Sequence, residues 1–269
     1  MKRENPECKV LQYLNHQANG EQLYLLMEYF ELTLEQYLES QTRVPDKTAL
    51  QIYYEIVRAI SNIDEQSVIH CDINPHNICL SKKENSDQYS VKLTHFTYSQ
   101  KEIGRGRVGS DLEYLSPIMM QDLDESVIND QGYTSSVDYW SATVILYRML
   151  FGFTPFEFKS LAKWEIKSVI QNQSGPNLKF PTNVQVSEPV KALLRRFLDT
   201  SKAKNIHEDS ILDDPLMNEF GSADRTPMIH RIDHRYEKSS ILLKSVRMSR
   251  IPSYPSLSNG SNDLINKLN

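Results

Sequence analysis

The run from Ser135 to Leu150 limits the possible folds more than any other stretch. Val137, Tyr139, Trp140, Ala142, Val144, Ile145, Leu146 and Met149 cover nearly every side of it, and Gly152 stands where a left-handed C-cap belongs. A surface helix keeps one polar face, whereas a helix that is apolar all round must be enclosed by other elements. The chain is therefore expected to wrap around one central helix, and 269 residues suffice to bury such a core.

The flanking segments supply the wrapping. Leu23 to Phe30 reads as a buried strand, rich in aromatic and aliphatic residues. Residues 1–22 are mixed and polar, with Val10-Leu11 and Tyr13-Leu14 as their only apolar pairs. Thr33 to Gln36 has the pattern of a capping box and opens a short helix through Leu38. Pro45-Asp46 starts a second helix, along which Tyr53, Ile56, Val57, Ile60 and Ile63 recur at helical spacing. Ile78–Leu80 and Val91–Leu93 flank a polar stretch and predict a two-stranded pairing, while residues 94–133 have weak periodicity and predict an irregular segment. Further helices are expected over Leu161–Ile170, from the Ser187 cap with Pro189 in its first turn, and over Ile206–Met217. From Gly221 onward Ser, Asn, Pro and basic residues dominate, which predicts a disordered tail.

Charge is unevenly spread. The net charge is −5, but eight Lys/Arg and four Asp/Glu fall in residues 221–269, leaving 22 basic and 31 acidic residues before them. An acidic body argues against nucleic acid as a partner. Cys8, Cys71 and Cys79 are odd in number and lack C-x-x-C spacing, which fits a reduced intracellular protein better than a disulfide or zinc scaffold. The first residues carry no apolar leader, and no run approaches the ~18 apolar residues of a membrane span. No membrane partner is expected, and the expected location is the cytoplasm, with the nucleus as an alternative.

Chemistry concentrates in the loop from Val68 to Leu80. It presents a carboxylate, Asp72, and five residues later a carboxamide, Asn77. Such a pair suits phosphoryl transfer: the carboxylate takes the proton of an attacking hydroxyl and the carboxamide helps hold a magnesium ion. Taken alone, Asp72 could simply cap a turn.

The loop resembles the catalytic loop of eukaryotic protein kinases, H-R-D-x-K-x-x-N, with Asp72 and Asn77 in register. Further landmarks follow in the family's order. Leu23–Phe30 is similar to the last strand of the N-terminal lobe (N-lobe) and the hinge, Met27 falling at the gatekeeper position. Val91–Thr97 is similar to the strand and D-F-G triplet, Tyr114–Ile118 to Y-x-A-P-E, and Ser136–Ser141 to the start of the buried central helix. The segment Phe180–Leu198 is nearest to the calmodulin-kinase-like and autophagy-initiating members. The resemblance implies a mainly α fold: a kinase C-terminal lobe (C-lobe) around a buried helix, with remnant N-lobe strands. It also implies three parts: residues 1–30 as N-lobe remnant and hinge, 31–220 as C-lobe, and 221–269 as basic tail. By the same resemblance, Glu28 and Phe30 would offer backbone groups to the adenine of ATP. Met27 and Cys79 would line its site, though either could equally be ordinary core. Asp138 would hold the catalytic-loop backbone through hydrogen bonds, and Trp140 and Pro155 would serve packing.

Several residues depart from the family pattern. His95 stands where the magnesium-binding aspartate belongs, and an imidazole is a poor ligand for a hard cation that prefers oxygen. Loss of that metal removes several kcal/mol of transition-state stabilisation. Asn74 replaces the loop lysine, and Cys71 replaces the arginine that pairs with a phosphorylated activation segment. Ile118 replaces the glutamate of A-P-E, and its usual arginine partner aligns with Asn205. About twenty residues precede Leu23, too few for the strands and helix that roof a nucleotide in the family. Gly104 to Gly109 is formally G-x-G-x-x-G, yet it follows no expected strand and reads as a flexible stretch.

Two functions are thus in competition. One is a pseudokinase that binds proteins as a scaffold or regulator; the other is an active serine/threonine kinase whose N-lobe is missing from this chain. Metal-free nucleotide binding at the hinge is a third. Serines near basic residues in the tail, such as Ser245 and Ser249, are candidate phosphorylation sites for another kinase.

Overall fold

The computed structural model describes residues 9–20, 22–105, 111–120, 132–156, 163–203 and 206–221. These belong to one unit, Met1–Arg225; a second unit, Thr226–Asn269, falls outside the described residues, as does the expected disordered tail. Asn205, Gly106–Gly109 and the tail serines lie outside them too.

The central helix is α3, Ser136–Phe151, and every residue in it except Arg148 is buried. Gly152 ends it at φ +85°, and a Cβ there would come within 2.6 Å of the Thr42 carbonyl, so only glycine fits. Against α3 packs α2, Asp46–Asp64, whose buried stripe includes the five expected apolar residues. The Tyr53 hydroxyl meets Thr143 Oγ1 at 3.0 Å, so the helix contact also carries a satisfied polar pair. Trp140 stacks on Phe156 at 6.2 Å between ring centroids.

Local signals place the shorter elements. Helix α1, Leu34–Glu39, opens on the full capping box, with Gln36 N–H donating to Thr33 Oγ1 and Thr33 N–H donating to Gln36 Oε1. After β3 (Leu32–Thr33) and β4 (Val68–Ile69) come β5 (Ile78–Lys82) and β6 (Tyr89–Leu93). The last two pair antiparallel with Ile78 opposite Leu93 and Leu80 opposite Val91, as their patterns predict. Among its described residues, the irregular segment contributes one short strand, β7 (Gln100–Lys101), paired with β4. Helices α4 (Lys163–Gln173), α5 (Glu188–Phe197), α6 (Glu208–Leu212) and α7 (Asn218–Gly221) complete the described chain. Ser187 precedes α5 as expected, but its side chain makes no capping bond.

The N-terminal residues differ from expectation. A strand β1, Tyr13–Asn19, pairs antiparallel with β2, Gln22–Met27, although residues 1–22 gave no strand signal beyond two apolar pairs. The Asn19-Gly20 dipeptide, with Gly20 at φ +59° before Gln22 pairs back onto Asn19, is the signal that could have located it. Nor is Leu23–Phe30 buried: Leu23, Tyr24, Leu25 and Leu26 are 55–60% exposed, because no described element covers either face of this ribbon. Its base is anchored. Leu11 N–H donates to the Leu93 carbonyl and Leu93 N–H to the Lys9 carbonyl, while Lys9 and Lys83 both pair with Glu55 on α2.

Candidate functional site

Strand β4 delivers the chain into the loop, and Asp138 in the first turn of α3 fixes the loop's start. His70 N–H donates to Asp138 Oδ2 at 2.7 Å and Cys71 N–H to Oδ1 at 2.9 Å. The carboxyl is fully enclosed; burial pushes its pKa up to about 7, against the two N–H donors that favour the ionised form. His70 is buried, with Nε2–H donating to the Thr94 carbonyl and its ring 4.7 Å from that of Phe96. Burial holds this imidazole down at about 4, so it sits neutral. Its Nδ1 has no partner among the described residues.

Asp72 is oriented by two carboxamides. Asn77 Nδ2 donates to its carbonyl at 2.8 Å and to its Oδ2 at 2.9 Å; Asn74 Nδ2 donates to its Oδ1 at 3.0 Å. Asn74 also accepts from His76 N–H at 3.0 Å, opening the 3₁₀ turn Pro75–Asn77. The residue at the lysine position therefore braces the carboxylate, a role its identity alone did not suggest. Cys71, at φ +65°, has its thiol pushed far above the ordinary range by burial, which removes nucleophilic character.

His95 is exposed and left-handed at φ +61°, and precedes the turn Phe96–Tyr98. A magnesium ion would require oxygen donors here. Asn77 has committed its amide to Asp72, leaving one carboxamide oxygen, and His95 offers only imidazole nitrogen. The residues present do not fit that ion. At the hinge positions, Glu28 N–H donates to the Gln12 carbonyl at 2.9 Å, and the Glu28 carboxylate accepts from Lys92 Nζ at 2.6 and 2.7 Å. Lys92 Nζ also lies 5.5 Å from the Phe30 ring centroid. Met27 is half-buried at the end of β2, and Cys79 is buried between Thr33 and Lys92.

Two clusters beside the loop escaped the sequence reading. The first joins α1 to the last turn of α3: Arg148 makes a two-pronged pair with Glu35 at 2.6 and 2.7 Å and donates to the Tyr114 hydroxyl at 2.6 Å. This hydrogen bonding holds the Glu35 carboxyl below its usual value. The second is a clasp between Gly104 and Tyr133, whose N–H and carbonyl groups exchange bonds at 2.8 and 3.0 Å. Gln100 Nε2 donates to the Tyr133 hydroxyl at 2.8 Å. A Cβ on Gly104 would fall 2.0 Å from the Tyr133 ring. Gly104→Ala is therefore expected to displace Tyr133 and cost about 1–3 kcal/mol in urea denaturation. Removing the ring as well, in Gly104→Ala/Tyr133→Ala, should make the losses clearly non-additive; strict additivity would mean that the ring is not what excludes a side chain at residue 104. Ile118, in place of a glutamate, is buried in the core, while its aligned counterpart Asn205 lies outside the described residues.

Residues 1–217 match the protein kinase domain family. Serine/threonine-protein kinase ULK3 of Mus musculus is 29% identical over 205 residues, covering 73% of this chain and 39% of the relative. Serine/threonine-protein kinase D3 of Mus musculus is 27% identical over 248 residues, 86% of this chain and 26% of the relative. Serine/threonine-protein kinase MRCK beta of Homo sapiens is 30% identical over 220 residues, 78% and 12% respectively. The chain thus spans less than two fifths of the length of each of these relatives. With helices and strands arranged around an enclosed α3, and with serine/threonine kinases among its relatives, the chain belongs to the protein kinase domain family.

Proposed function

We propose that this chain is a C-lobe-like kinase domain that does not transfer phosphate and acts by binding other proteins. One observation carries the reading: His95, at the position of the metal-binding aspartate, is an exposed imidazole that offers nitrogen and no oxygen to a hard cation. Phosphoryl transfer depends on a metal that neutralises the developing charge. Asn74 at the lysine position bonds Asp72 and brings no positive charge to a phosphate. The uncovered ribbon β1–β2 supports the protein-binding half, since an exposed apolar surface of this kind marks an interaction site.

The second reading, an active serine/threonine kinase, rests on the orientation of Asp72 by Asn77. The two part cleanly in solution. Thermal unfolding with ATP, with and without magnesium, is expected to give no magnesium-dependent shift; a ligand at a hundred times its Kd would add about 2.7 kcal/mol. A radiolabelled phosphotransfer assay on a generic basic protein is expected to give no turnover. Turnover that disappears in Asp72→Ala would overturn the proposal.

A further inference from the structure

A groove of about 480 Å³ runs between the segment 180–187 and the start of α5. Phe180, Pro181, Val184 and Val186 form its apolar wall, with Ser187 and Lys191 on the helical side. The Phe180 ring is fixed from behind by Tyr147 and Phe151, with centroids 6.0 and 5.6 Å away. Two cations sit on that ring: the Arg195 guanidinium at 4.8 Å and the Lys191 ammonium at 5.9 Å from its centroid.

The charges at this groove do not balance. Glu188 is the carboxylate facing Lys191 at 2.9 Å and Arg195 at 3.7 Å, and its side chain is 74% exposed. One solvated carboxylate shared by two cations, Lys191 and Arg195, leaves a net positive rim on a chain whose first 220 residues hold 22 basic and 31 acidic residues.

We propose that this groove binds an acidic peptide segment of a partner protein. Its carboxylates meet Lys191 and Arg195, and an apolar side chain between them packs on Phe180 and Val184. Charge selects the occupant. Residues 221–269 of this chain, with eight Lys/Arg against four Asp/Glu, have the wrong sign. The proposal gives a chemistry to the protein-binding reading above, yet it uses no residue of the Asp72 loop. Peptide binding and phosphotransfer are separate readouts, so either can fail alone.

The test titrates the full chain into a fluorescein-labelled peptide of Asp and Glu residues around a central Leu-Ile pair, followed by anisotropy. Saturable binding is expected, weakened about tenfold or more in Lys191→Glu/Arg195→Glu and weakened by added salt. The same peptide with Ser-Ser at its centre should bind more weakly. Thermal unfolding checks that the double variant folds, and the single change Arg195→Glu, at a partly exposed residue, gives the same direction if it does not. Lys82→Glu, at the end of β5, should bind as the parent does. Absence of saturable binding, parental affinity in the folded charge-reversal variants, or an equal loss in Lys82→Glu would overturn the proposal.

Discussion

Asp138→Ala is expected to lose about 2–5 kcal/mol of folding stability, measured by urea denaturation. The reason is that two buried backbone donors, His70 N–H and Cys71 N–H, lose their acceptor together. If alanine does not fold, Asp138→Asn retains one carbonyl acceptor and should lose roughly half as much. The pH dependence adds a sign that simple loss of packing would not give. Asp138 is raised to about 7 in the fold, so its contribution is full below the unfolded carboxylate value near 4 and fades as pH rises toward 7. His70 is lowered to about 4, so its contribution is full above the unfolded value near 6.5 and fades as pH falls toward 4. The two slopes oppose each other in the parent. In Asp138→Asn only the histidine slope remains, and stability should rise with pH between about 4 and 6.5 more steeply than in the parent. An unchanged slope would mean that the two groups do not titrate as described.

The second large effect is expected at the Arg148–Glu35 pair. The side chains are 22% and 12% exposed, so removing Arg148 strands a largely covered carboxylate and the Tyr114 hydroxyl. Arg148→Ala should cost about 2–3 kcal/mol, whereas Arg148→Met/Glu35→Leu should return to within about 1 kcal/mol of the parent. A double-mutant cycle with a coupling energy below about 0.5 kcal/mol would reduce the pair to a surface contact. Glu35 is held below its ordinary pKa, so its contribution is present above the unfolded carboxylate value and is lost on acidification.

What could be read from the sequence follows from the range of the forces involved. The α3 helix, the capping box at Thr33 and the β5–β6 pairing depend on periodicity or on partners a few residues apart, and all three are legible. The Asp72–Asn77 spacing was legible for the same reason. The exposure of Leu23–Leu26 was not, because an apolar strand looks the same whether or not something covers it. Arg148 and Glu35 stand 113 residues apart, and no local rule joins them. Asn74 registered as a missing charge; that its amide would turn onto Asp72 depends on a loop geometry that only the fold supplies.

The β1–β2 ribbon projects from a narrow attachment: Lys9 and Leu11 on the backbone of Leu93, and Glu28 on the side chain of Lys92. Mechanically it is a cantilever whose fulcrum is the end of β6, two or three residues before His95. A load on its free end would be borne at that strand, and the residue after it, Thr94, supplies the carbonyl that orients His70.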